Sequence, residues 1–238
     1  MSTPRAFVGG ATGHTGREVV RQLCERGVET IAHVRPNSSK LNDWLKRFEG
    51  WGASVDTSAW GKGELEKRFS ELQPTLVFGL LGTTKARARR TARAGGDAAQ
   101  ESYEAVDYGL TCELIEAASK SGSSPCFVYL SSAGAGSGMG HYLEIRQRVE
   151  RELTSSDLPY VIARPATIIG DRDESRPLEE IGGKVLDSLL TVAGGLGMQG
   201  LRERYRSTTN VVLAGALVRA ALDPESRNIV LESESLRT

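Results

Sequence analysis

The 238-residue chain predicts a doubly wound parallel α/β sheet, with helices on both faces in a three-layer α/β/α arrangement. Three observations predict it. Short apolar runs alternate with helical patterns, the order that builds a parallel sheet through crossover helices. The run Leu76-Val77-Phe78-Gly79-Leu80-Leu81 is almost unbroken in its apolar character, as expected of a strand buried on both faces. Finally, Gly10, Gly13 and Gly16 follow the first apolar run in the spacing G-x-x-G-x-x-G, just ahead of a helical pattern.

The first strand is Ala6-Phe7-Val8, and the first helix carries Val19, Val20, Leu23 and Cys24 before ending at Gly27. A turn this tight between strand and helix needs residues free of Cβ, so that backbone can approach a pyrophosphate. The N–H groups and positive dipole end of the helix then hold the phosphates. Gly10, Thr12, Gly13, His14, Thr15 and Gly16 are therefore candidate cofactor contacts, His14 through backbone or packing rather than chemistry. The second strand, Val28 to Val34, ends at Arg35, with Lys40 close by and no acid where NAD-preferring sites place one. A guanidinium pairs well with a 2′-phosphate, so the residues favour NADP(H) over NAD(H).

A helix follows from Ser39 to Phe48, stopping at Gly50, and then a third strand from Ala53 to Asp56. Asp56 has two readings, acceptor for an adenine amino group or cap of the next turn. A polar helix from Gly63 to Glu71 closes at Pro74, and the fourth strand ends in Leu81, Gly82 and Thr83, also on the cofactor side. The basic run Lys85 to Arg93 reads as an insertion, with flexible Ala94-Gly95-Gly96 behind it. It is either a solvated mobile loop or a lid that attracts an anionic substrate or the cofactor phosphates. One long helix is expected from Gln100 to Lys120, with Val106, Leu110, Leu114 and Ala118 along one stripe. The fifth strand, Cys126 to Leu130, ends in Ser131-Ser132; a glycine-rich loop leads to a helix from His141 to Leu153 with Ile145, Val149 and Leu153 inward. The sixth strand, Tyr160 to Ala163, stops at Arg164-Pro165. A polar loop, a helix near Ile181 to Val192, a glycine-rich loop, a helix near Val211 to Leu222 and a last strand, Ile229 to Leu231, complete the order. No repeat or linker divides the chain, so a single domain over 1–238 is expected, with 165–238 contributing a small substrate-side lobe.

Thirty basic and thirty acidic residues balance, which speaks against a dedicated nucleic-acid or membrane-surface protein. Cys24, Cys112 and Cys126 suggest small core residues rather than a disulfide framework, and no Cys/His spacing suggests a metal site. Without an apolar leader or a membrane-length run, a cytoplasmic setting is expected, as a monomer or homodimer with room for a protein partner.

Tyr142 and Arg146 stand at i and i+4 and share a helix face. A cation beside a phenol favours phenolate, and such a tyrosine passes a proton to or from a carbonyl oxygen. Ser132 is placed to hold that oxygen by a hydrogen bond. These residues resemble an atypical short-chain dehydrogenase/reductase, and more narrowly the Tat-interacting-protein-like oxidoreductases. The resemblance is carried by Gly10-x-x-Gly13-x-x-Gly16, Leu81-Gly82-Thr83-Thr84-Lys85, Tyr103-x-x-Val106-Asp107-Tyr108, Leu130-Ser131-Ser132-x-Gly134-Ala135, Arg164-Pro165 and the loop Asp171 to Pro177. It implies an NADP-binding Rossmann fold, Pro165 among the residues at the cofactor, Ser132 as substrate-oxygen ligand and Tyr142 as acid/base. One position departs from that family: Arg146 stands where Tyr-x-x-x-Lys has its lysine, whose role is to bind the ribose and tune the tyrosine. Arginine keeps the charge but does not give up a proton. The expected function is an NADP(H)-dependent oxidoreductase acting on a carbonyl or hydroxyl of a small molecule. Arg146 sustains a second expectation, an NADP-binding regulatory or interaction module with little turnover. Nucleotide-sugar chemistry is a weaker third, since the tail after the sixth strand is short for a sugar domain.

Overall fold

The computed structural model describes residues 3–61, 63–83, 85–93, 95–137, 140–169 and 208–237. Seven strands form one sheet in the order β3-β2-β1-β4-β5-β6-β9, and every pairing in it is parallel. The strands are β1 (Arg5–Gly9), β2 (Glu29–His33), β3 (Ser54–Asp56), β4 (Leu76–Gly79), β5 (Cys126–Leu130), β6 (Tyr160–Arg164) and β9 (Ile229–Glu232). A second, two-stranded parallel pair joins β7 (Ile168–Ile169) to β8 (Thr208–Thr209). Strand order reverses between β1 and β4, which opens a crevice above their carboxyl ends.

Alternation along the strands divides the core between the two faces. Ala6 and Val8 face a layer that contains α1 (Gly16–Glu25), α2 (Leu41–Gly50) and α7 (Asn210–Leu222). Phe7 faces the opposite layer, with α3 (Glu64–Leu72), α5 (Thr111–Lys120) and α6 (His141–Thr154). The expected core residues of α6, Ile145, Val149 and Leu153, are fully buried.

Two expectations are corrected. The single helix over 100–120 is three pieces: a 3-10 turn at Ala98–Glu101, a π-helical segment at Tyr103–Leu110, and α5. Two side chains start separate helices: Asp97 Oδ1 accepts from the Ala99 N–H at 2.9 Å, and Ser102 Oγ accepts from Ala105 at 3.1 Å. Val106 and Asp107 both face inward from the π-helical segment. The second correction concerns the basic run, which is the helix α4 (Lys85–Arg93) rather than a mobile loop. Alanine and arginine, both strong helix formers, make up most of it. Its end is closed by Gly95 N–H on Ala92 O (3.1 Å) and Gly96 N–H on Thr91 O (2.9 Å), with Gly95 at φ +78°. The loop Asp171 to Pro177, the helix near 181–192 and the glycine-rich loop after it lie outside the described residues.

Candidate cofactor and active site

The glycines of the β1–α1 turn are not equivalent. Gly10 has φ +81°, and a Cβ there would meet Leu80 O at 2.5 Å; a Cβ on Gly16 would meet Gly10 O at 2.1 Å. Both are required by the fold itself. At Gly13 a Cβ would meet only Gly10 O, at 3.1 Å, and Gly13 is exposed. Internal packing restricts Gly13 less than the other two, and an exposed glycine in such a turn lets a ligand approach the backbone closely. No side chain caps the start of α1; the Arg17 and Glu18 N–H groups bond within the turn, to Gly13 O and Thr15 O at 3.1 Å each, and the positive end of the helix dipole there favours an anion. The acid in that first turn, Glu18, is held by Gln22 at 2.9 Å and by Arg21. Burial pushes its carboxyl up, but those partners outweigh it and hold it below its ordinary value. The residues present therefore fit a pyrophosphate. Thr12 is half-buried in the turn, and His14 O accepts from Asn210 Nδ2 of α7 at 3.2 Å.

At the other strand ends the candidates divide. Asp56 is buried, and its carboxylate accepts from Ser58 Oγ at 2.6 Å and Arg68 Nε at 2.7 Å. Its contacts are those of the turn-capping alternative. Arg35 is half-exposed beyond β2, and its Nη1 lies 3.1 Å from Glu101 Oε1. The acid missing from the end of β2 thus arrives from the 3-10 turn. Beyond β4, Leu81 O faces the Arg146 guanidinium at 3.4 Å, and a Cβ on Gly82 would stand 3.2 Å from Arg146 Nη2. The Thr83 N–H donates to Asp107 Oδ2 at 2.9 Å.

The two serines after β5 have different surroundings. Ser131 is buried and donates to Glu150 Oε1 at 2.5 Å; Glu150 in turn takes a bidentate pair from Arg164 at 3.0 and 2.6 Å. Ser132 is half-buried, and its hydroxyl has only a long contact of 3.4 Å to Ala133 O. Ser132 is thus available to an incoming oxygen in a way Ser131 is not. Pro165 is buried next to it, its carbonyl accepting from Ala133 N–H at 2.8 Å.

Tyr142 and Arg146 meet as their spacing on α6 requires: Arg146 Nε donates to Tyr142 Oη at 3.1 Å. The arginine is not a surface charge, being 5% exposed. Nη2 pairs with Asp107 Oδ1 at 2.7 Å, and Nη1 donates to Tyr129 Oη at 3.1 Å and Leu130 O at 3.0 Å. Burial works against the guanidinium charge, yet Tyr129, Tyr142 and Asp107 together hold its pKa above the ordinary value. Burial pushes the Asp107 carboxyl up, with Arg146 and the Thr83 N–H pulling it back. Burial also drives the Tyr129 phenol up to about 12, so it stays neutral at physiological pH.

Asp107 and Tyr103 enter the sequence reading only through the motif Tyr103-x-x-Val106-Asp107-Tyr108, with no role at the site, and neither Tyr129 nor Glu101 is given one. Asp107 carried a usable signal, an acid beside Val106 on the inward stripe of a helix. Tyr103, whose ring lies 5.2 Å from that of Tyr142, is a turn away from Asp107 in the same motif. Glu101 had no local signal, since its partner is 66 residues distant.

Among the described residues no cluster of metal-binding side chains occurs, and no helix is long and apolar enough to cross a membrane. A family model described as NAD(P)H-binding matches residues 10–188. The "Protein fmp52, mitochondrial" of Aspergillus fumigatus is 30% identical over 95% of this chain and 91% of its own. Among solved structures, the Thermotoga maritima UDP-glucose 4-epimerase superposes with a TM-score of 0.63 at 19% identity, covering 95% of this chain and 75% of the epimerase. The Citrobacter sp. triphenylmethane reductase complexed with NADP(H) gives 0.59 at 16% identity, over 95% and 68%. These structures agree with the chain in fold. The cytoplasmic expectation is overturned: relatives from several fungi are named as mitochondrial proteins.

Proposed function

Because the chain belongs to the NAD(P)H-binding family, with the fungal fmp52 proteins as relatives, we propose that it is an NADP(H)-dependent oxidoreductase acting on a carbonyl or hydroxyl of a small molecule. The observation that carries the proposal is the 3.1 Å contact from Arg146 Nε to Tyr142 Oη. The β1–α1 turn, with Gly13 exposed at the positive end of the α1 dipole, would hold the pyrophosphate, and Arg35 would hold the 2′-phosphate. The nicotinamide, when bound, supplies or accepts a hydride.

The protein's own part is proton handling and orientation. Ser132 donates to the substrate oxygen and fixes its position. Tyr142 Oη passes a proton to that oxygen in reduction and takes it back in oxidation. Arg146 stays charged throughout, so it is no proton relay. Its Nε donates to Tyr142 Oη and orients that hydroxyl, and its other donors lock the side chain against Asp107, Tyr129 and Leu130. Arg146 is in this sense a positioning residue. The basic helix α4 beside the crevice favours an anionic substrate. The relatives' names support a mitochondrial setting, which cell fractionation against a matrix marker tests.

Tyr142→Phe removes the transferable proton and almost no volume. NADPH binding persists in this variant, by calorimetry, while reduction of a panel of aldehydes, ketones and quinones falls by about two to four orders of magnitude. A variant as active as the wild type removes Tyr142 from the mechanism.

A further inference from the structure

The acid that the end of β2 lacks is supplied from 66 residues away, and we infer that Glu101 sets how strongly the site discriminates between NADP(H) and NAD(H). The inference rests on the dinucleotide site proposed above. The Glu101 side chain is 11% exposed, with Oε1 3.1 Å from Arg35 Nη1 and Oε2 3.5 Å from Thr83 Oγ1. Arg35 lies beyond β2 and Thr83 beyond β4, and β1 with its glycine turn lies between those strands in the sheet. The carboxylate therefore spans the mouth of the crevice, on the side where an acid or a cation decides between the two cofactors. It is held there by structure. Asp97 caps the 3-10 turn that ends at Glu101, Ser102 caps the helical piece that follows it, and Thr83 is fixed by Asp107.

Chemistry then sets the two ligands against each other. A free ribose 2′-hydroxyl is a donor, which the Glu101 carboxylate accepts while Arg35 balances its charge. A 2′-phosphate is an anion that needs the same guanidinium and meets a like charge beside it. Glu101 thus favours NAD(H) and taxes NADP(H), so the wild-type preference is narrower than Arg35 alone would give.

Calorimetric titration of NADPH and NADH into the wild type, Glu101→Gln, Arg35→Ala and the double variant tests this. Glu101→Gln tightens NADPH by about tenfold and weakens NADH, so the affinity ratio rises by more than tenfold. With Arg35→Ala in the background, the gain in NADPH affinity from Glu101→Gln shrinks to less than about threefold. A ratio that responds to Arg35→Ala but not to Glu101→Gln overturns the inference and leaves the site. A ratio untouched by Arg35→Ala overturns the placement of the 2′-phosphate, and the inference with it. Circular dichroism confirms folding; should Glu101→Gln not fold, Glu101→Asp withdraws the charge by one methylene and moves the ratio in the same direction by less.

Discussion

Arg146 directs its donors inward, to one carboxylate, two phenols and two backbone carbonyls. A lysine at this position brings a single ammonium with three donors and no fixed fork, so it cannot serve all of these at once. Arg146→Lys therefore costs about 1.5–3 kcal/mol of stability in urea unfolding and lowers turnover, although it restores the commoner motif. A rise in turnover would show instead that the guanidinium hinders a site built for an amine. Its counter-charge is the more sensitive half of the pair. Asp107 is fully buried, and Asp107→Asn leaves a buried guanidinium unbalanced, at a cost of about 3–5 kcal/mol. Adding Arg146→Met to Asp107→Asn recovers part of that loss, because the charge is then gone as well. A double variant no more stable than Asp107→Asn alone would place the loss in packing rather than charge.

At the scale of elements, the β1–α1 turn separates what folding needs from what a ligand needs. Gly16→Ala puts a methyl 2.1 Å from Gly10 O and destabilises the protein by about 1–3 kcal/mol, read as a lowered unfolding midpoint. Gly13→Val keeps the fold, since its neighbour at 3.1 Å needs to shift only a little, and abolishes NADPH binding in calorimetry. Full affinity in a folded Gly13→Val protein would move the pyrophosphate elsewhere. This turn was legible in the sequence because its determinants are local: the glycine spacing, the strand before it and the helix after it. The seven strands of the main sheet were legible for the same reason, whereas the short pair β7–β8, two residues each, carries too little pattern to be read. Two elements were misread, each because a second influence won. Arginine density in Lys85–Arg93 drew the reading toward a solvated loop, where alanine–arginine propensity makes a helix. The stripe through Val106, Leu110 and Leu114 read as one helix, where caps at Asp97 and Ser102 and the pull of Asp107 toward Arg146 break it. The candidate pair Tyr142 and Arg146 was legible from i, i+4 spacing, but its burial was not. That burial depends on Asp107 and Tyr129, which lie 39 and 17 residues away in the chain.

Across the whole molecule, the last described helix is bound to the first turn. Asn210 Nδ2 donates to His14 O at 3.2 Å, and Gln22 Nε2 on α1 donates to Val211 O at 3.0 Å. Leu213, Leu217 and Val218 of α7 are fully buried in the same cluster as Val8, Val19 and Leu23. Beyond α7, β9 pairs with β6, and Arg164 reaches Glu232 at 3.0 Å as well as Glu150. These contacts tie α7 to the glycine turn, and the expected consequence is that cofactor binding is coupled to the packing of α7. Leu217→Ala tests that coupling far from the crevice. Truncation leaves a cavity in the core that α1 and α7 share and costs about 2–5 kcal/mol. If the two ends of the chain fold as one unit, the variant unfolds in a single transition at lower urea, with intrinsic fluorescence and circular dichroism coinciding. A cofactor that binds only the folded turn shifts the equilibrium back: NADPH at a hundred times its Kd returns about 2.7 kcal/mol in wild type and variant alike. Two separated transitions, with NADPH moving only one of them, would show that α7 unfolds independently of the nucleotide turn and that the Asn210–His14 contact carries no coupling.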